Sequence, residues 1–506
     1  MTTAPLDERI RALVPEDRIE ALRAAREGLA DDPYRPLYHF SPPTGWMNDP
    51  NGLCRWRGLY HLFYQCVPEG RDRIHWGHAV SADLLHWRDL PPAFGPDGEK
   101  HCFSGQTLVE SDRVIAIYHG VEAGNCIATA SDPLLLDWQK HPANPVIPIV
   151  PVDDAGNPYR IFDPCIWKED DGYYALSGTY KDGDFRTDCR NVDHLFRSPD
   201  LAEWEHLGAL IEGGFHTEPG EDGAVPNFWP IGRGKHMLLF FSHKRAAQYY
   251  VGHYDRAAHR LIPDYHGRMN YGPISKGSLH APSATVTPDG RFLAIFNVKE
   301  GKEPAGWHDV MSLPRRLSLD EDCALRIEPA AEMELLRGHH THLDGTEIPA
   351  NGEIEVEGFG GKSIEIEAVL EPGAAREVGL CVLRSPDGAE QTRISLLRDT
   401  HGEGEHSLQI DISRASLRAD VLARPNEVGP LSLREGEPLR LRVFVDRSIV
   451  EVFANGRQCL TLRAYPDRED SRGVALFARG GAAGPVSLDA WQMRSTWPEL
   501  RHFEDG

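Results

Sequence analysis

A chain of 506 residues with a formal charge of −23 and no basic block excludes nucleic acid and anionic membrane surfaces as partners, because both demand clustered Lys and Arg. Its apolar fraction of 41% is enough for the cores of two or three domains, and no apolar run reaches the ~18 residues of a helical membrane span. Nine cysteines, an odd number scattered singly with no Cys-x-x-Cys, read as free thiols, and the N-terminus shows no basic or apolar signal region, so a cytoplasmic location is expected. The 24 histidines are densest at His339-His340-Thr341-His342 and at His75 and His78. Neither group has a Cys or carboxylate at ligand spacing, so no metal is expected there.

Residues 1–35 are predicted to form a helical cap. Pro15, Glu16 and Asp17 are a helix-start signal, with acids at the positive end of the dipole. Ile19, Leu22, Ala25 and Leu29 recur at helical spacing.

From 36 to 330 helical periodicity is almost lost. Short β-rich runs alternate with Gly, Pro, Asp and Asn turns, which predicts an all-β, many-stranded domain. One unit repeats. Ser81-Ala82-Asp83-Leu84-Leu85-His86-Trp87 returns as Ser131-Asp132-Pro133-Leu134-Leu135-Leu136-Asp137-Trp138 and as Ser198-Pro199-Asp200-Leu201-Ala202-Glu203-Trp204. Repeats of roughly fifty to seventy residues suit one blade each of a β-propeller, and the region holds about five. In such a ring the first strand of each blade lines a central pocket, so acids distant in sequence can meet.

From 331 to 506 the strands lengthen. Ser363–Leu370, Leu439–Val445 and Ile449–Phe453 stand out, and Ile364/Glu365/Ile366/Glu367 alternates as in a sheet with one solvated face. Asn455-Gly456 is a hairpin turn. An antiparallel two-sheet sandwich is predicted.

The most distinctive stretch is Gly45-Trp46-Met47-Asn48-Asp49-Pro50-Asn51-Gly52, which sets Asp49 in a tight turn between amides. On turn chemistry alone this is equally an Asx-turn between two strands. A second acid, Asp163, precedes Pro164 in Arg160-Ile161-Phe162-Asp163-Pro164. A third acidic turn is Glu218-Pro219-Gly220-Glu221-Asp222-Gly223. Three acids in three blades suit glycoside chemistry: one attacks the anomeric carbon, one protonates the leaving oxygen, one holds sugar hydroxyls. Gln65, His75-Trp76-Gly77-His78 and Phe103-Ser104-Gly105 add polar and aromatic groups suited to a sugar, although Trp76 equally suits a core.

These residues carry a resemblance. Trp46-Met47-Asn48-Asp49-Pro50-Asn51-Gly52 is similar to the signature of glycoside hydrolase family 32, the β-fructofuranosidases (invertases, inulinases, levanases). Tyr60–Gln65, His75–Ala79, Ser81–Trp87, Phe103–Gly105, Gly306-Trp307 with Ser312–Arg315, and Phe444–Gly456 resemble further family blocks in family order, over residues 36 to 495. The resemblance implies a five-bladed propeller followed by a sandwich, and a retaining β-fructofuranosidase acting on sucrose or fructo-oligosaccharides and fructans. It implies Asp49 as nucleophile, Asp163 as transition-state stabiliser and a glutamate of the third turn as acid/base. Trp46, Asn48, Gln65, Trp76, Phe103, Ser104 and Arg160 are the implied substrate-binding residues. No metal or organic cofactor is implied. The sandwich is assigned a structural role, at the pocket rim or in a homo-oligomer contact.

Three positions depart from the family pattern. Phe162 stands where the second motif has arginine, so Arg160 has to turn round to replace it. Ala224-Val225-Pro226 stands where the third motif reads Glu-Cys-Pro, leaving Glu221 as acid/base if a bulge re-aims it, with Asp222 and Glu218 as alternatives. Arg71 replaces a tryptophan of the pocket wall. Related furanoside cleavage or fructosyl transfer, and sugar binding without catalysis, therefore remain open.

Overall fold

In the computed structural model, residues 5–150, 160–180, 193–212, 218, 221–402 and 404–497 are described. Pro15 caps the helix Glu16–Glu27, which follows a shorter helix, Leu6–Arg11. Ile19 of the longer helix joins Ile10, Val14, Leu59 and Val80 in one apolar cluster. Arg26 anchors the helix: its guanidinium is buried against the Trp497 ring and pairs with Asp89 at 2.7 Å.

Five antiparallel sheets follow, each built from consecutive strands. Their first strands are Gly45–Trp56, Cys102–Val109, Arg160–Glu169, Ala224–Gly232 and Leu279–Val286, and define blades 1 to 5. Each first strand packs against the first strands of the blades on either side, blade 5 against blade 1 included, so the five form a closed ring. Apolar clusters fill the gaps between blades. Trp56, Phe63 and Trp76 of blade 1 meet Tyr118 and Cys126 of blade 2, and Trp167 and Tyr174 of blade 3 meet Phe228 and Tyr254 of blade 4. After blade 5 has begun, Trp307–His308 returns to pair in parallel with Gly45 and Trp46 and latches the ring.

The repeated Ser…Asp…Trp unit is the turn between the third and fourth strands of blades 1 to 3. Asp83, Asp132 and Asp200 each accept backbone N–H bonds from the turn that follows. That support holds Leu84, Leu135 and Leu201 at positive φ, which a non-glycine residue adopts only when its surroundings enforce it.

One irregularity recurs in all five first strands. Between Met47 and Pro50, Cys102 and Gly105, Ile161 and Pro164, Ala224 and Asn227, and Leu279 and Pro282, three steps along the first strand match two along its partner. Each first strand thus carries one extra residue at the same level of the ring, a β-bulge, and bulges re-aim side chains.

The last propeller strand ends at Pro329 and the first sandwich strand is Arg337–Ile348. Two six-stranded antiparallel sheets enclose a core that includes Ile364, Ile366, Leu380, Ile394, Val443 and Val452. Asn455 and Gly456, both at positive φ, form the predicted hairpin turn. The outer face of Ile364–Glu367 is less solvated than its alternation predicts. Glu365 is fully buried, because Arg337 and Arg442 lie across it and neutralise it.

Candidate active site

The five bulges deliver five side chains to the axis. Asn48, Phe103, Phe162, Val225 and His280, the first bulge residue of each blade, all line one chamber of about 710 Å³. The next residue along is Asp49, Ser104, Asp163, Pro226 or Ala281, and of these Asp49 and Asp163 also line it. A second ring comes from the ends of the second strands: Gln65, His119, Tyr180, His243 and Lys299. Trp46 and Arg160 complete the wall at the entrances of blades 1 and 3.

Asp49 is held by a chain of donors that runs in one direction. Lys299 Nζ bonds Asn48 Oδ1. Asn48 Nδ2 donates to Gln65 Oε1 at 2.8 Å, Gln65 Nε2 donates to Ser104 Oγ at 2.7 Å, and Ser104 Oγ donates to Asp49 Oδ2 at 2.8 Å. His280 Nδ1 stands 3.4 Å from the other oxygen, Oδ1. Burial alone would raise the carboxyl's pKa, but His280, Lys299 and Ser104 together hold it below the ordinary aspartate value, so Asp49 is ionised.

Asp163 has the opposite environment. Burial, and next the charge of Asp49, push it up to about 7, with the Val225 N–H 3.3 Å from Oδ2 as an opposing contact. Two carboxyls in one chamber are thus driven apart, Asp49 charged and Asp163 keeping a proton up to about pH 7, which is how neighbouring carboxyls come to take different roles.

The third acidic turn is arranged differently from the expectation. Glu221 is buried but absent from the chamber wall. Its carboxylate accepts from Gln248 Nε2 at 2.6 Å and lines a small separate cavity between blades 3 and 4. The blade's extra residue lies downstream, between Ala224 and Asn227, so no bulge brings Glu221 inward. Glu218 pairs with Arg245, outside the chamber. Asp222 reaches the chamber only through a neighbour: its carboxylate accepts from the backbone N–H of His243 at 2.8 Å and bonds His243 Nδ1 at 2.5 Å.

Residues 39–329 match the model of the glycosyl hydrolases family 32 N-terminal domain, and residues 332–492 that of the family 32 C-terminal domain. The chain belongs to glycosyl hydrolases family 32. It is 30% identical to the β-fructofuranosidase insoluble isoenzyme 6 of Oryza sativa subsp. japonica, over 91% of this chain and 90% of that one. It is 28% identical to the fructan 6-exohydrolase of Triticum aestivum, over 91% and 90%. The crystal structure of fructan 1-exohydrolase IIa from Cichorium intybus superposes with a TM-score of 0.80 at 25% identity, covering 92% of this chain and 98% of that chain.

Most residues of the family 32 resemblance come together. Trp46, Asn48, Asp49, Gln65, Phe103, Arg160 and Asp163 line the chamber, and Ser104 touches it only through Asp49 and Gln65. Arg160, two residues before the bulge, does face the axis. Trp76 does not bind there: it is fully buried against Phe94 and donates from Nε1 to the Phe103 carbonyl at 2.8 Å, so it supports Phe103 from behind. Arg71 lies exposed in a turn, away from the wall. The sandwich supplies no described residue to the chamber, so it shapes the rim only indirectly. His243, His280, His119 and Lys299 escape sequence reasoning, because His119, His243 and Lys299 lie at or just past strand ends, His280 lies near the start of one, and none has a motif of its own. Only the bulge repeat, which places His280 level with Asn48, could have signalled one of them.

Proposed function

We propose that this family 32 chain is a retaining β-fructofuranosidase that releases terminal fructose from sucrose or fructo-oligosaccharides. What supports the reading most is the pair Asp49 and Asp163, facing one chamber with their pKa values pushed in opposite directions. Asp49 attacks the anomeric carbon of the fructofuranosyl ring, the glycosidic bond breaks, and an ester to Asp49 forms. Water then attacks the same carbon and frees Asp49. Asp163 meets the ring hydroxyls. As the ester removes the charge of Asp49, Asp163 ionises more readily and can stabilise the positive ring of the second transition state. Phe103 and Trp46 offer apolar faces to the sugar.

The test is fructose release from sucrose and 1-kestose, with the first-formed anomer read by NMR. Asp49→Asn is expected to lower kcat/KM by at least about 10³, roughly 4 kcal/mol of transition-state stabilisation. Inversion at the anomeric carbon, or an Asp49→Asn variant as active as the parent, would overturn the reading. A second reading, fructoside binding without turnover, is favoured by Ala224, Val225 and Pro226, which leave the family's acid position without a carboxyl. Calorimetric binding of sucrose with no product over hours would select it.

A further inference from the structure

Retaining hydrolysis needs a proton donor for the departing oxygen and a base for the incoming water, and among the described residues blade 4 puts no carboxylate on the chamber wall. We propose that His243, held by Asp222, takes both parts. The inference rests on the reading above and names the residue that reading leaves unassigned.

The placement carries the argument. His243 follows the second strand of blade 4, Lys235–Ser242, and its ring lines the chamber that Asp49 and Asp163 line. Ser242 Oγ accepts from the backbone N–H of Lys244, and Asp222 Oδ1 accepts from that of His243, so the turn is fastened on both sides of the imidazole. Asp222 Oδ2 takes Nδ1 at 2.5 Å. A buried carboxylate on one ring nitrogen fixes the tautomer and stabilises the imidazolium, so that the proton exchanged with substrate is the one on Nε2.

Among the described residues that line the chamber, Asp163 is assigned to the ring hydroxyls, and the remaining histidines, Lys299 and Glu122 are less suited. His280 and His119 are pushed down to about 4, first by burial, and are neutral at pH 7. Lys299 is committed to Asn48 and Asp309. Glu122 sits on a turn and pairs with Lys100, both side chains largely exposed. Charged groups reach His243 from three blades. Burial pulls its pKa down, but Asp222 of its own blade, Asp163 of blade 3 and Asp49 of blade 1 outweigh that and hold it above the ordinary histidine value, while His280 of blade 5 is neutral. Arg245, two residues on, is turned to Glu218.

The step balances. Nε2–H of the imidazolium passes its proton to the glycosidic oxygen as the bond to the anomeric carbon breaks and Asp49 forms the ester, and the aglycone leaves as a neutral alcohol. The neutral imidazole then takes a proton from water as the water oxygen bonds the anomeric carbon and the Asp49 carboxylate departs. Asp222 is a positioning residue: it touches the imidazole and not the sugar.

The experiment compares two substrates with His243→Gln. Sucrose has a poor leaving group and needs the proton; p-nitrophenyl β-D-fructofuranoside has a good one and does not. His243→Gln is expected to lower kcat/KM for sucrose about 10²–10⁴-fold and for the aryl fructoside less than 10-fold, with azide accelerating its breakdown of the ester. Asp222→Asn is expected to keep partial activity and to move the alkaline limb of the pH profile to lower pH. An unchanged thermal midpoint excludes misfolding as the cause. The proposal is overturned if His243→Gln turns over sucrose within about threefold of the parent, or if it loses both substrates equally with the alkaline limb in place. Either result, with Asp49→Asn inactive, leaves the fructosidase reading intact. A parent chain that releases nothing from either substrate overturns both.

Discussion

Asp163 is where function and stability pull against each other. Its folded-state pKa, about 7, lies above the unfolded value of 3.8. Between those values the folded chain keeps a proton that the unfolded chain has released, so stability falls as pH rises through that window and the full cost is present above it. Asp163→Asn removes the charge without changing shape. The variant is expected to be more stable than the parent at pH 8 by about 2–4 kcal/mol, with the gap closing toward pH 4, and to be nearly inactive. Denaturant unfolding at several pH values measures this, and a variant destabilised at pH 8 refutes it. Much at this scale was legible beforehand: Asp49 and Asp163 were found because each precedes a proline in an acidic turn. The aim of Glu221 away from the chamber was not, because distance along the chain does not fix the direction of a side chain. Trp76 misled for a related reason. Its polar neighbours suggested a wall, while its side of the strand faces Phe94 and Tyr118.

At the level of the strand, the chamber exists because five bulges occur in register around the ring. The residue that closes each bulge shows how tight the construction is: Pro50, Gly105, Pro164, Asn227 and Pro282. A Cβ added to Gly105 would lie 1.9 Å from the Ile117 carbonyl oxygen, on backbone that cannot yield without parting the first two strands of blade 2. Gly105→Ala is therefore expected to cost about 2–3 kcal/mol, read as a lower denaturant midpoint. It should also lower kcat through Ser104, the last donor to Asp49. An Ala variant with parental stability would mean the bulge is softer than the geometry implies. The repeating Asp-Pro pair marks equivalent positions in two of the five blades, though not the bulges that lie there. The other three were hidden because Phe103-Ser104-Gly105, Val225-Pro226-Asn227 and His280-Ala281-Pro282 share a backbone shape and no chemistry.

Across the whole molecule, propeller and sandwich are joined by buried charge. Asp446 accepts the backbone N–H groups of Leu37, Tyr38 and His39, and the His39 ring lies between Asp446 and Glu451. Glu451 in turn bonds Arg315 of blade 5 at 2.7 Å. Burial opposes the charge on Glu451, but Arg315 and His39 outweigh it and bring its pKa down to about 2. A depressed carboxylate stabilises the fold above its unfolded value of 4.5, and that contribution is lost as pH falls from there toward 2. Glu451→Gln strands the buried Arg315 charge and is expected to cost about 3–5 kcal/mol, with a shallower acid transition. Calorimetry between pH 3 and 7 would detect it, and an unaltered acid limb would show that the seam is held otherwise. The block Phe444–Gly456 was readable as a signature, but its physical purpose was not, because its partners lie hundreds of residues away. The latch formed by Trp307–His308 has a bearing on biosynthesis. Gly45–Trp56 leaves the ribosome early with one edge lacking its neighbour, and that neighbour is not translated until more than 250 positions later. The nascent chain must therefore guard an open arc of four blades until the fifth arrives, so the circle is completed late, from the far end of the domain.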